Sequence, residues 1–152
     1  MKNCRNFVRN NISSSFIIAF NNKEDKEEQF DNFNRMYPAF SKEVFNKIER
    51  NKKTYTEVLE YMKESLRLEA YYKIGFEDKR FESKRMDFNW KNSNEFKELE
   101  KAYIERELYE FKNSVNHRGL FSIISYLDHE NAELEYYILP NMPFTVRVFS
   151  YN

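Results

Sequence analysis

The spacing of apolar residues changes from a helical period to a strand period at Gly119, and that change sets the class of fold open to the chain. Before Gly119 the large apolar side chains recur mostly with a helical period: Tyr55, Val58, Leu59, Met62 and Leu66, then Ile104, Leu108, Phe111 and Val115. After Gly119 the period falls to two. Helices collect apolar residues three and four apart, whereas strands alternate between two faces. A helical stretch followed by strands implies α+β rather than alternating βαβ units.

Residues 12–20 are β-branched and aromatic, with Phe16, Ile18 and Phe20 on one face, which predicts a strand. Residues 23–36 carry Phe30 and Phe33 ahead of Tyr37, a helical spacing that must stop before Pro38. Ser41 is placed to cap a second short helix bearing Val44, Phe45 and Ile48. Thr54 and Glu57 have capping-box spacing and open a longer helix, with Gly75 where a C-terminal cap belongs. Residues 76–91 fit no single period, because Phe76 and Trp90 stand off the line of Phe81 and Phe88. Asn92 to Asn94 form a turn-and-cap cluster, and the helix after it is expected to end near His117, with Gly119 as a second candidate cap.

Leu120 to Leu127 is an apolar run, and Asp128 to Asn131 a polar turn. Ala132, Leu134, Tyr136 and Ile138 then alternate with polar neighbours, and Phe144, Val146 and Val148 do so after the break at Pro140-Asn141-Met142-Pro143. The expected architecture is an N-terminal strand, four to five helices and a C-terminal three-stranded antiparallel β-meander, with helices packed on one sheet face. No repeat, linker or low-complexity segment interrupts it, so residues 1–152 read as a single globular domain.

Composition excludes several functions. Lys plus Arg and Asp plus Glu both number 25, so the chain is neither an acidic DNA mimic nor a basic nucleic-acid coat. An aromatic content of 18% supplies enough apolar surface for a core. Gly75 and Gly119 are the only glycines, which rules out a P-loop or a dinucleotide fingerprint. Cys4 is the only cysteine, so no disulfide framework or cysteine zinc cluster forms; it reads as a reduced thiol. Asn occurs 18 times and Gln once, while Gly, Ala and Pro together number 10, a bias that matches an AT-rich genome. Individual Asn and Tyr residues therefore carry little functional information.

Lys2, Arg5 and Arg9 precede the apolar run Phe16 to Phe20, but five residues are too few for a signal-peptide core. No run approaches the roughly 20 apolar residues of a spanning helix. The expectation is a cytoplasmic protein, in its own cell or an infected one, with no membrane role. Residues 1–22 carry three cations and no acid, whereas 119–152 carry four acids and Arg147. That asymmetry suggests that the N-terminal strand pairs beside the acidic C-terminal strands.

Two constellations stand out. Between Lys79 and Lys91, cations interleave with Phe81, Phe88 and the only tryptophan; Arg80, Arg85, Phe88 and Trp90 form the expected partner-binding surface. Aromatics and Arg are enriched at protein interfaces, and single-strand binders join cations to stacking rings. Glu77, Asp78, Glu82 and Asp87 nearly cancel these cations, which favours a protein partner over nucleic acid. The second constellation is His117, Arg118, His129 and Glu130, residue types that a metal-independent nuclease uses for proton transfer and phosphate charge. The bland reading is that His117 and Arg118 complement a helix C-terminus. Asp128, His129, Glu130 and Glu133 lack the spacing of a metal site, and no cofactor is expected. Glu82-Ser83-Lys84 matches the Glu-x-Lys fragment of restriction-type nuclease cores, but it does not read as a strand and Asp78 stands too close. No serine sits in a nucleophile elbow.

Size, aromatic richness and the missing catalytic signature are compatible in type with small inhibitor proteins, such as toxin-immunity and phage anti-defence proteins; no motif carries a family resemblance. The leading expectation is a non-enzymatic, macromolecule-binding protein, an inhibitor or adaptor with a protein partner. A metal-independent nuclease is the alternative, and a single-stranded nucleic-acid binder the weaker one. The apolar helix stripes also leave homodimerisation open.

Overall fold

A computed structural model describes residues 12–74 and 93–151 of the chain. Arg80, Arg85, Phe88 and Trp90 of the expected partner surface lie outside the described residues, as do Cys4, Gly75 and the N-terminal cations. The class is α+β, with β1 (Ile12–Phe20), α1 (Lys23–Met36), α2 (Pro38–Arg50), β2 (Lys52–Lys53), α3 (Tyr55–Tyr72), α4 (Asn94–Ser114), β3 (Leu120–Leu127) and β4 (Thr145–Ser150). The chain divides into two compact units, residues 1–58 with 114–152, and residues 59–113.

The first unit holds an antiparallel sheet in the order β2-β3-β1-β4. The predicted meander does not form. β1 lies between β3 and β4, pairing Phe16 with Ile124 on one side and with Val148 on the other. The reason is apolarity. Phe16, Ile17 and Ile18 are all fully buried, so β1 hides both faces and belongs in the middle of a sheet. The expected middle strand of the meander is helical instead: a π-helical turn, Leu134–Ile138, runs into a 3-10 turn, Leu139–Asn141. Leu134, Glu135, Ile138 and Leu139 are its buried residues. That set is helical, and the alternating reading had missed the four-residue step from Leu134 to Ile138.

Helices α1 and α2 cover one face of the sheet, where Phe30, Phe33, Val44 and Ile48 meet Phe16, Ile18, Phe20 and Ile124. The rings of Phe20, Phe30 and Phe33 lie 5.6–6.0 Å from that of Phe144, the range of favourable aromatic pairs. Asn22 caps α1 by accepting the Asp25 N–H at 2.8 Å. Ser41 does not cap α2. Pro38 occupies the first helical position, where its fixed φ is already helical, and the cap is Tyr37, four residues earlier than expected. The Thr54–Glu57 capping box forms as predicted, with both reciprocal bonds present.

Gly119 is not a left-handed helix cap, since no glycine among the described residues has a positive φ. Helix α4 ends at Ser114, and Gly119 lies in the turn that leads into β3. It is needed there for space: a Cβ at this position would sit 2.3 Å from the Phe20 carbonyl oxygen and 2.9 Å from that of Asn116. In the second unit, Ala70, Ile74 and Phe96 form a small core flanked by Tyr71, Leu99 and Tyr103. The Tyr103 hydroxyl donates to Glu69 at 2.5 Å. Among the described residues no helix is long and apolar enough to cross a membrane.

Candidate binding surface at the end of β3

The end of β3 holds a dense polar network. Strand β3 stops in a tight turn in which the Glu130 N–H bonds the Leu127 carbonyl at 2.8 Å. Asp128 and His129 adopt left-handed conformations, with φ of 47° and 58°. Non-glycine residues lose about 1–2 kcal/mol each in that region, so the surroundings must hold the turn. They do so through three contacts. The Glu130 carboxylate accepts the Leu127 N–H at 3.0 Å, the Lys47 ammonium stands 3.3 Å from it, and the His129 N–H donates to the Ser13 hydroxyl at 3.0 Å. The N–H bond and Lys47 hold the Glu130 carboxyl below its ordinary pKa.

Beneath the turn lies Glu135, 2% exposed. Its Oε1 accepts the hydroxyls of Ser13 and Ser14 at 2.5 and 3.0 Å, and its Oε2 accepts the Asn131 N–H at 3.1 Å. In a regular strand successive side chains point to opposite faces, so two adjacent serines cannot both reach one carboxylate. The register of β1 against β3 shifts between Ile12 and Ser14, a β-bulge at Ser13 that aims both hydroxyls at Glu135. Next to this network, Tyr126 is completely buried and its hydroxyl has no hydrogen-bond partner. Lys47 lies 3.6 Å from the centre of the Tyr126 ring and donates to the Ser125 carbonyl at 2.6 Å. Burial first, then the Glu43, Glu130 and Glu135 carboxylates, pushes the Tyr126 phenol far above its ordinary pKa.

The outer side of the same segment exposes large apolar and aromatic side chains alongside Asp128, His129, Glu130 and Glu133. Leu127, Tyr136 and Tyr137 are 46%, 41% and 73% exposed. The Tyr136 hydroxyl bonds His129 Nδ1, and the two rings stack with centroids 5.8 Å apart.

The serine hydroxyls face a carboxylate rather than an imidazole, and the His129 ring is turned to Tyr136. Of the nuclease candidates, His129 and Glu130 sit in this turn, whereas His117 and Arg118 precede the other end of β3. There the His117 ring stacks on Tyr55 at 4.5 Å. Eight residues of paired strand separate the two groups, about 26 Å, so no single phosphate contacts both histidines. Among the described residues no group of three or more His, Cys, Asp or Glu is arranged to hold a metal ion.

Sequence reasoning missed Glu135, Ser13, Ser14 and Tyr137. A signal was present in the three consecutive serines, Ser13 to Ser15, within an otherwise apolar strand. Polar groups in a buried strand need partners. No family model, curated protein or solved structure matches this chain.

Proposed function

We propose that this protein is a non-enzymatic binding protein, of inhibitor or adaptor type, that recognises a protein partner through Leu127, Tyr136 and Tyr137. The observation that supports this reading is the exposure of Tyr137 on a segment anchored from beneath by the buried Glu135 network. A tyrosine left 73% exposed contributes little to the fold. On a rigid support it offers a partner large contact area with little conformational entropy to lose. Tyr is among the residues that dominate binding when truncated.

The test uses tagged full-length protein captured from lysate of its own host, with nuclease treatment and moderate salt. A discrete stoichiometric protein should survive both. Tyr137→Ala should weaken its binding by about 2 kcal/mol, roughly thirtyfold in Kd, as a central interface anchor does. The unfolding midpoint should stay unchanged. Retention of the partner at full affinity by Tyr137→Ala would remove this surface from the interface.

A further inference from the structure

We infer a second docking surface, separate from the aromatic one. The outer edge of β4 takes an extended peptide segment of a partner as a further strand, with an apolar side chain of that segment in the cleft beside Phe144 and a carboxylate at Arg35. The two edges of the sheet differ in what closes them. Past the short pairing with β2, the outer edge of β3 is sealed by groups outside the ladder. The Ile123 N–H donates to the Asn51 carbonyl at 3.2 Å, Lys47 donates to the Ser125 carbonyl at 2.6 Å, and Glu130 takes both backbone groups of Leu127.

β4 has no such cover. The Tyr151 N–H bonds the Ser13 carbonyl at 3.1 Å, so Tyr151 and, by alternation, Phe149 and Arg147 turn their backbone groups towards β1. Val148 and Ser150 therefore turn theirs away. Among the described residues no bond reaches the N–H of either. The Arg147 guanidinium lies 3.4 Å from the Val148 carbonyl, longer than a good hydrogen bond. β4 carries no proline or lysine to guard its edge, and its bulge lies at Val146, before these two residues.

The cleft adds selectivity to this edge. It holds about 340 Å³ between the second half of α1 and residues 142–144, which lead directly into β4. Phe33, Met36, Met142 and Phe144 give it apolar walls, and Met36 is left 54% exposed. Arg35 lines the same cleft. Among the described residues its guanidinium pairs with no carboxylate and gives one hydrogen bond, to the Asn32 side-chain oxygen. Its remaining donors suit a carboxylate, which a guanidinium can grip through two parallel bonds.

An acidic extended segment satisfies both features at once. Main-chain bonds to the strand edge give affinity, and side chains entering a pocket give specificity. From Ser150 back to Phe144 the chain covers six residues, about 20 Å when extended, so one short segment reaches from the open edge to the cleft. A second copy of β4 does not fit this occupant: Thr145 to Ser150 brings Arg147 and no acid to place at Arg35.

The test screens random octapeptides with blocked ends against immobilised full-length protein. Enriched peptides should share a large apolar residue with an Asp or Glu close to it. Arg35→Ala should weaken such a peptide about tenfold, the loss of one charge-assisted contact. Exchanging the peptide's acid for its amide should cost the same with the unaltered protein and nothing further with the variant. N-methylation of the alternate peptide amides that face β4 should abolish binding, and methylation of the other set should not. Val148→Pro removes the central outward N–H, leaves the ladder to β1 intact and should weaken binding about tenfold. Val148 also packs against the core, so Ser150→Pro, at an exposed position, is the second variant. No enrichment, an enriched set without acids, or binding indifferent to N-methylation at every position overturns the proposal. So does a dimer in sedimentation that Ser150→Pro abolishes, since a second copy then fills the edge.

Discussion

Replacing Glu135 by alanine tests whether the buried carboxylate organises the end of β3. The residue accepts three hydrogen bonds, from Ser13, Ser14 and the Asn131 N–H. Each bond to a charged acceptor contributes about 1.5–3 kcal/mol net. Keeping a carboxylate out of water costs several kcal/mol, which offsets much of that gain. The decisive quantity is therefore what the alanine variant leaves behind. Ser13 has a second acceptor in the Tyr126 carbonyl, 3.2 Å away, and can turn to it. The Ser14 hydroxyl and the Asn131 N–H have no such alternative, and each loses about 1–3 kcal/mol if left unpaired. Glu135→Ala should thus destabilise the fold by about 2–4 kcal/mol. Glu135→Gln should cost about 1 kcal/mol or less, since its oxygen can accept the Asn131 N–H while its amide donates to a serine oxygen. The assay is urea unfolding, read from the midpoint at constant m-value. Ser14→Ala combined with Glu135→Ala should be strongly non-additive, because the two share one bond. An alanine variant that loses less than about 1 kcal/mol, or a glutamine variant that loses as much as alanine, would refute the reasoning.

Other outcomes follow from single groups. Tyr126→Phe removes a buried hydroxyl that has no partner, so it should leave stability unchanged or raise it by up to about 1 kcal/mol; a loss above 1 kcal/mol in the same urea assay would reveal a bond at that hydroxyl. Stability should also fall in acid. The folded-state pKa values of Glu49 and Glu130 lie below the ordinary 4.5, lowered chiefly by the Lys26 hydrogen bond and by the Leu127 N–H respectively. Their contribution is present above about pH 4.5 and disappears as pH falls through the folded values. Urea midpoints at pH 6 and pH 3 measure it, and Glu49→Gln should flatten the difference.

The boundaries of β1 and α1 were legible because each has one strong local signal. Residues 12–20 are almost wholly β-branched, aromatic or serine, and residues 23–36 end against Pro38. The capping box at Thr54 was legible for the same reason, since its chemistry spans four residues. The segment 132–141 was misread because its residues satisfy two periods. Ala132, Leu134, Tyr136 and Ile138 alternate as a strand would, while Leu134 and Ile138 are also one helical turn apart. In the structure the helix is capped locally at Asn131, whose Oδ1 accepts the Leu134 N–H and whose N–H donates to Glu135, and it is tied to distant sequence by the Glu135 carboxylate reaching Ser13 and Ser14 more than one hundred residues away. The aromatic surface was hidden with it, because Tyr136 and Tyr137 share a side of the chain only when that segment is helical.

By itself, then, the sequence determined the class, most of the helices, the strands β1, β3 and β4, and the absence of glycine-rich phosphate loops. These depend on interactions within a few residues, where period and capping chemistry act. The tertiary structure decided the strand order, the helical form of 132–141, the space that requires glycine at position 119, and which polar groups are buried together. These depend on pairing between distant segments: β1 is buried on both faces and so takes the centre of the sheet. No local pattern records which strand will lie beside it.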